Sequence, residues 1–334
     1  MTLALEYPYP PMEAKTAEEI PEGDEWGYEP KWDGFRCVAF RDGKTVHLQS
    51  KAGKPLDRYF PDIVEAIESI PAKSFVLDGE IVIPIGNRFS FDDLLLRIHP
   101  AASRVRTLVE AHPANFIVFD LLADGPGEKG LLVNLSLKER RPRLEQFFRA
   151  NVSNPTYRLS DFTESISTAR KWLREAGGNR DGVVAKRLDL EYRSGDRTGM
   201  LKIKRLRTAE CVVGGFRYAS RGKVVGSLLL GLYDEAGILH HVGFTSAMDA
   251  AERKALTPQL EELRQPPGFT GRAPGGPSRW STERTGEWEP LAPKMVVEVQ
   301  YDNFTGGRFR HGTRLLRFRP DKPARKCTMD QVTG

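Results

Sequence analysis

The sequence has little that would cross-link a chain, anchor it or bind metal through soft ligands. Its three cysteines, Cys37, Cys211 and Cys327, form no C-x-x-C pair and no even framework, which argues against disulfides and a cysteine-rich zinc site. The six histidines are scattered. His240-His241 is the one adjacent pair, and neighbours on a strand face opposite sides, so it reads as strand edge plus surface. The opening MTLALEYPYPPMEAK has no basic leader followed by an apolar run, so no signal peptide is expected. No apolar stretch approaches a membrane span. A reduced, cytoplasmic protein is expected, with no membrane partner. The familiar phosphate loops are missing too. DGKT ends like one, but its first glycine would fall on Val38, and no G-x-G-x-x-G opens a helix after a strand. There is no internal repeat or low-complexity segment.

What is present is enough for about two domains: 334 residues, 40% of them hydrophobic. The formal net charge of +5 is a modest excess that points weakly to a polyanionic partner. The first thirty residues, proline-rich and acidic, read as an irregular lead-in. Strand patterns follow at FRCVAF, TVHLQ, FVLDGEIVIPI and FIVFDLLA, then at DGVVAKR and MLKIKR. Helical patterns lie between them. One is FPDIVEAIESI. A second is SLKERRPRLEQFF, with Ser136 and Glu139 at capping-box spacing. A third is DFTESISTARKWLREA, with Phe162, Ile166, Ala169 and Leu173 at helical spacing. This mixture fits an α+β domain of mixed sheets better than a doubly wound one. From about Ala209 five strand candidates and the helix DAAERKALTPQLEEL make the inventory of an OB-fold β-barrel, with RQPPGFTGRAPGGPSRW as a Pro/Gly loop. The boundary falls at KRLRTAE, giving domains 1–207 and 208–334. Between Gln300 and Lys326 stand eight Arg or Lys against two Asp. Arg308 and Arg310, then Arg317 and Arg319, are spaced to share a strand face as a cationic stripe.

The chemistry centres on YEPKWDGFR. A protonated lysine cannot attack anything. Desolvation or nearby cations convert it to a nucleophile. Trp32 can shield Lys31, Gly34 admits close backbone approach, Arg36 can hold a carboxylate or phosphate, and Asp33 can orient the amine or a sugar hydroxyl. Alone the motif is weak, since an exposed lysine beside an Asp-Gly turn accounts for it equally. LDGEIV repeats the Asp-Gly with Glu80 in a strongly β-forming run, where a carboxylate is costly unless it faces a polar site. RDGVVAKR sets Asp181 before an apolar strand. MLKIKR places Lys202 and Lys204 on one strand face, where they repel unless an anion such as phosphate lies between them. A solvated face explains that pair as well. Phe119 in FIVFDLL reads by itself as core.

In this order the pieces resemble the covalent nucleotidyltransferase superfamily of polynucleotide ligases and capping enzymes: KWDGFR, LQSKAG, LDGEIV, IVFDLL, DGVVAK, LKIK and, near the C-terminus, FRPDK. HPAASRV, VVAKRLD, VVGGFRYA, VGSLLLGLYD and FRHGTRLLRFRPD are similar to the compact bacterial ATP-dependent DNA ligases of the C type, so the resemblance spans nearly the whole chain. It implies an adenylation domain followed by an OB domain, joined by a hinge at KRLRTAE, with no room for a further N-terminal DNA-binding domain. It implies that Lys31 attacks ATP to form lysyl-AMP. Glu29 would lie against adenine and Phe119 stack on it, while Arg36 and Glu80 hold the ribose with Asp33 nearby. Lys202 and Lys204, with Arg197, would neutralise the α-phosphate. Asp181, with Glu80, would position a divalent metal, Mg²⁺ or alternatively Mn²⁺. Arg319, Asp321 and Lys322 would meet pyrophosphate. Two departures stand out. The fourth motif usually begins with glutamate and here has Asp181, which should pull the metal contact in by about one methylene. Lys51 stands where arginine is common in the second motif, so a 5′-phosphate grip there loses the bidentate option. The implied partner is nicked duplex DNA, met as a monomer, with a repair polymerase or end-joining proteins as further partners. An RNA ligase or a GTP-using capping enzyme would share the chemistry, and a non-catalytic OB-type nucleic-acid binder is the remaining alternative.

Overall fold

The structure, a computed structural model, describes residues 3–151, 154–177, 179–275 and 287–333. The end of the Pro/Gly loop, from residue 276, lies outside them. The chain divides into two compact units, Met1–Arg205 and Leu206–Gly334.

Two sheets build the first unit. One runs Lys15–Thr16, Met200–Lys204, Arg180–Arg187, Trp26–Trp32, antiparallel except for its first pair. The other runs Thr45–Ser50, Phe35–Asp42, Ser74–Val82, Asn115–Asp124, Tyr157–Leu159, antiparallel except for its last pair. The central strand Ser74–Val82 is buried on both faces, as its apolar β-branched run requires. The helix Pro61–Ser69 buries Ile63, Ala66 and Ile67, one stripe at i, i+3, i+4, and Pro61 occupies its first turn, where a missing N–H costs nothing. Leu144 and Phe147 of the helix Leu137–Asn151 are buried in the same core. Each such side chain contributes about 1.5–3 kcal/mol. The smaller sheet packs its other face, Tyr28, Val183, Ala185 and Ile203, against Ala169.

The structure differs from the sequence expectations in four places. The lead-in is not irregular to residue thirty, because a strand begins at Trp26. The helix expected from Asp161 starts at Ile166: Ser165 caps it through the Thr168 amide, and Thr163 instead exchanges backbone hydrogen bonds with Tyr28. Only half of the Ser136–Glu139 box forms. Glu139 accepts from the Ser136 N–H and O–H, but its own amide donates to the Ser136 carbonyl. Two helices, Phe91–Arg97 and Ala102–Ala111, had no counterpart in the sequence pattern.

In the second unit all five strand candidates form: Arg207–Tyr218, Val225–Tyr233, Leu239–Thr245, Val296–Tyr301 and Arg314–Phe318. The first three make a meander, the fourth pairs back onto the first, and the fifth onto the fourth. A parallel bridge from Thr245 to Thr313 joins the third strand to the start of the fifth. That closure, with the helix Ala250–Glu262 between third and fourth strands, is the OB barrel. The helix carries a complete Asp249–Glu252 capping box and buries Leu256 and Leu260. His240 and His241 lie in the third strand. His240 bonds Asp234 and the His241 ring sits against Phe269. Among the described residues, no helix is long and apolar enough to cross a membrane.

The first unit also buries ion pairs. Arg140 donates to both Asp120 oxygens, at 2.8 and 2.9 Å, with both residues buried. Removing one partner strands a buried charge. Asp120→Ala is expected to lower the unfolding free energy of this unit by about 3–5 kcal/mol in urea titration, and a change under 1 kcal/mol would show the pair to be dispensable.

Candidate active site

The smaller sheet turns three rungs of side chains to one face. Lys31, Gly182 and Lys204 are cross-strand partners, then Glu29, Val184 and Lys202, then Gly27, Lys186 and Met200. The alternation that buries Tyr28, Val183 and Ile203 on one face therefore presents the charged residues on the other.

A slip in the ladder aims Asp181. Arg180 pairs with Trp32 and Gly182 with Lys31, so Asp181 is an extra residue on its strand. Such a bulge redirects a side chain. Here Asp181 Oδ2 accepts from Lys31 Nζ at 2.8 Å and meets Lys204 Nζ at 3.1 Å. Gly182 has φ +151°, and a Cβ on it would lie 2.0 Å from the Ile203 carbonyl oxygen. Only glycine fits there, and with no side chain of its own it leaves the space between Lys31 and Lys204 to Asp181. Gly34 gives the other close approach: a Cβ would sit 2.2 Å from the Ile81 carbonyl oxygen.

The larger sheet supplies the opposite wall. Arg36 pairs across the ladder with Glu80, but its guanidinium grips Asp78 through Nε and Nη2, both at 2.6 Å, and lies 4.4 Å from the centre of the Phe119 ring. Lys186 Nζ is 4.5 Å from the same ring and 2.9 Å from Glu29 Oε2. Arg141 approaches the other Glu29 oxygen at 3.8 Å. Burial raises the Glu29 carboxyl despite these cations. Burial also pushes Glu80 up to about 7, against the pull of Lys31 and Arg36, with Asp33 and Asp78 adding to the rise. Lys202 is pushed down, first by burial and then by Lys31, Lys51 and Lys204. Trp32 is buried and donates its indole N–H to Ser160 at 2.9 Å.

These groups enclose a cleft of about 200 Å³ lined by Glu29, Lys31, Trp32, Arg36, Lys51, Glu80, Phe119 and Lys202 among others. Asp181 and Lys204 adjoin it through Lys31. Asp33 follows Trp32 at the strand end. Lys51 and Arg197 both pair with Glu13, each at 2.9 Å. Arg319, Asp321 and Lys322 belong to the second unit. There Arg319 holds Asp321 with its Nη2 at 2.7 Å and also pairs with Glu210, as does Lys322. This end of the stripe is acid-paired, since Arg317 meets Glu298 at 2.7 Å, whereas Arg308 lies in a separate two-residue strand, Arg308–Phe309, with Arg310 just beyond it, so the four arginines do not share one strand face.

The sequence reading missed Glu13, Asp78 and the inward role of Lys186. Asp78 and Glu80, and likewise Val184 and Lys186, stand two apart on a strand, a signal that was legible. Glu13 carried none.

A divalent cation fits this donor set in a particular way. Among the described residues no three His, Cys, Asp or Glu side chains are grouped to cage a metal. Asp181, with Glu80 in the cleft lining, offers the few carboxylates that a hard cation sharing its shell with water and phosphate oxygens requires.

Comparison with known proteins gives a consistent result. Residues 11–204 match the family described as ATP dependent DNA ligase domain, and residues 221–322 match the ATP dependent DNA ligase C terminal region. Over 348 residues the chain is 43% identical to DNA ligase C2 of Mycolicibacterium smegmatis, covering 99% of this chain and 96% of that protein. It is 40% identical to DNA ligase C of Mycobacterium tuberculosis with the same coverage. A solved structure of a Lig E DNA ligase shares the fold, with a TM-score of 0.56 at 19% identity over 93% of this chain and 99% of that one.

Two predictions test the geometry. Gly182→Ala is expected to cost about 1–3 kcal/mol in urea unfolding, the range for strain at a special backbone position; a neutral change would show that the bulge tolerates a side chain. Glu80 keeps a proton in the folded state up to about pH 7 that the unfolded chain releases near 4.5. Its burial therefore costs nothing below the lower value, and stability falls as pH rises between the two. Glu80→Gln is expected to raise the unfolding free energy at pH 8.5 by about 3 kcal/mol, read as a higher thermal midpoint, and to leave stability nearly unchanged at pH 4.5.

Proposed function

The chain belongs to the ATP-dependent DNA ligases, and on that premise we propose that Lys31 is the residue that takes AMP from ATP, with Asp181, Lys202 and Lys204 arranged around the reacting phosphate. The observation that carries this reading is the Lys31–Gly182–Lys204 rung with Asp181 bulged into contact with both lysines.

The enzyme seals nicks in duplex DNA by three displacements at two phosphorus atoms, the α-phosphorus of ATP in the first two and the 5′-phosphate of the nick in the third. The lysine nitrogen attacks the α-phosphorus and pyrophosphate leaves. The AMP then passes to the 5′-phosphate of the nick. The 3′-hydroxyl attacks that phosphate, the strand closes and AMP departs.

In this reading Lys31 acts once it has shed its extra proton, since an ammonium has no lone pair. Asp181 fixes its nitrogen. Lys202 and Lys204 receive the charge that builds on the phosphate in the in-line transition state. Adenine lies by Glu29 and stacks on Phe119, and Arg36, Glu80 and Asp33 serve the ribose. Arg197 joins Lys202 and Lys204 at the nucleotide's phosphates, and Lys51, paired to the same Glu13, meets those phosphates or the 5′-phosphate. Asp181, assisted by Glu80, would hold Mg²⁺ or Mn²⁺, which when bound neutralises phosphate charge beside the nucleophile. Arg319, Asp321 and Lys322 are assigned to pyrophosphate, residues 1–207 to adenylation and 208–334 to the OB domain. The setting is cytoplasmic repair, with a repair polymerase or end-joining proteins acting on the same break.

The test is incubation with Mg²⁺ and labelled ATP or GTP. An acid-labile, alkali-stable adduct is expected with ATP and is expected to vanish in Lys31→Ala, with sealing of nicked DNA in preference to nicked RNA. An adduct that survives Lys31→Ala, or that forms only with GTP, overturns the assignment.

A further inference from the structure

We propose that Glu13 is a built-in competitor for the nucleotide's outer phosphates: its carboxylate holds Lys51 and Arg197 and must yield them when a polyphosphate arrives. This rests on the reading above, in which those two cations meet phosphate.

Glu13 Oε2 receives both Lys51 Nζ and Arg197 Nη2 at 2.9 Å. The two cations come from separate stretches of chain, one just after the strand Thr45–Ser50 and the other just before Met200–Lys204. Glu13 itself lines the cleft with Lys31 and Lys202. The cleft thus collects Lys31, Lys51 and Lys202, with Lys204 joined to Lys31 through Asp181 and Arg197 joined to Lys51 through Glu13. Glu13 is the anion on the cluster's outer side, where it opposes the electrostatic lowering of Lys202. The hydrogen bond and the charge of Lys51, and then the Arg197 charge, hold its carboxyl below the usual range against a partial desolvation, so it stays ionised.

The contact is not a staple for the fold. Lys51 and Arg197 are 57% and 66% exposed, and ion pairs in that setting add little to stability. The segment has its own anchors. The Glu13 amide donates to the Asp196 carbonyl at 2.8 Å, and the Met12 amide donates to the Tyr192 hydroxyl at 3.0 Å. The side chain is therefore free to swing away without unfastening the backbone.

A phosphate offers the same two cations more charge and more oxygens than one carboxylate. It displaces Glu13, at a cost to affinity equal to the pairs it breaks. The same carboxylate then competes with pyrophosphate after the transfer and speeds its loss. That opposes the reversal, in which a pyrophosphate oxygen attacks the α-phosphorus of lysyl-AMP, the P–N bond breaks, the nitrogen keeps the electron pair and ATP re-forms.

Glu13→Gln keeps the shape and removes the charge. With Mg²⁺ present, KM for ATP in adduct formation and KM for pyrophosphate in the reversal are both expected to fall about three- to tenfold, the size of two weak ion pairs. Single-turnover rates at saturation should move less than either KM. Glu13→Ala is expected to act in the same direction, because charge and not packing is what is lost. Normal adduct formation with an unchanged or raised KM in Glu13→Gln overturns the competitor role alone. Failure of the parent protein to form any adduct overturns the Lys31 assignment instead.

Discussion

Asp181 Oδ2 serves two lysines at once, and the cleft of the first unit is organised around that sharing. Two ammonium groups on the strands either side of Arg180–Arg187 repel, and a single carboxylate between them turns the repulsion into a fixed geometry. The carboxylate reaches them because the strand carries one residue too many. Regular pairing would set Asp181 on the face occupied by Val183 and Ile203, in the apolar core. The bulge and the glycine that follows it rescue the side chain to the polar face. The shorter acid at this position is therefore no handicap in reaching Lys31, since the backbone supplies the approach.

The opposite wall follows a different rule. Asp78, fully buried, accepts two bonds from Arg36 and one from the Tyr192 hydroxyl. Asp120 is held by Arg140, and across the cleft, on the smaller sheet, Glu29 is held by Lys186. Each charge is costly to bury and each has a named partner, which is how a polar surface survives between two apolar cores. Phe119 sits among these pairs with cations at 4.4 and 4.5 Å from its ring. Phe119, which reads alone as core, is buried and also lines the cleft.

Much of this was legible in the sequence where the determinant was local. Apolar runs with β-branched residues gave the strands, and period-two spacing placed Lys202 and Lys204 on one face. The OB inventory followed from strand count and one helix. What escaped depended on pairing at a distance. Glu13 sits in a proline-rich lead-in without periodicity, and its partners are 38 and 184 residues away. The strand Trp26–Trp32 was hidden by Pro30, which breaks a ladder in a sheet interior but is tolerated here because this strand is an edge. The helix Ala102–Ala111 buries only Val105, so it shows no stripe to detect. The bulge at Asp181 is a matter of register, which one strand's sequence does not encode.

The arginines at the end of the barrel change character once their surroundings are known. Arg317 lies on Glu298, and Arg319 and Lys322 share Glu210. In sequence they form a bare positive stripe. In the folded unit each already has a protein counterion, contributed by another strand. A cationic stripe that meets a polyanion releases the counterions condensed on that polyanion. A paired stripe must in addition give up its carboxylates, trading one carboxylate for each phosphate. Contact along this strand would then be an exchange of partners, in which geometry counts beside ionic strength. It rewards an anion with several oxygens in the right places over one that merely carries charge.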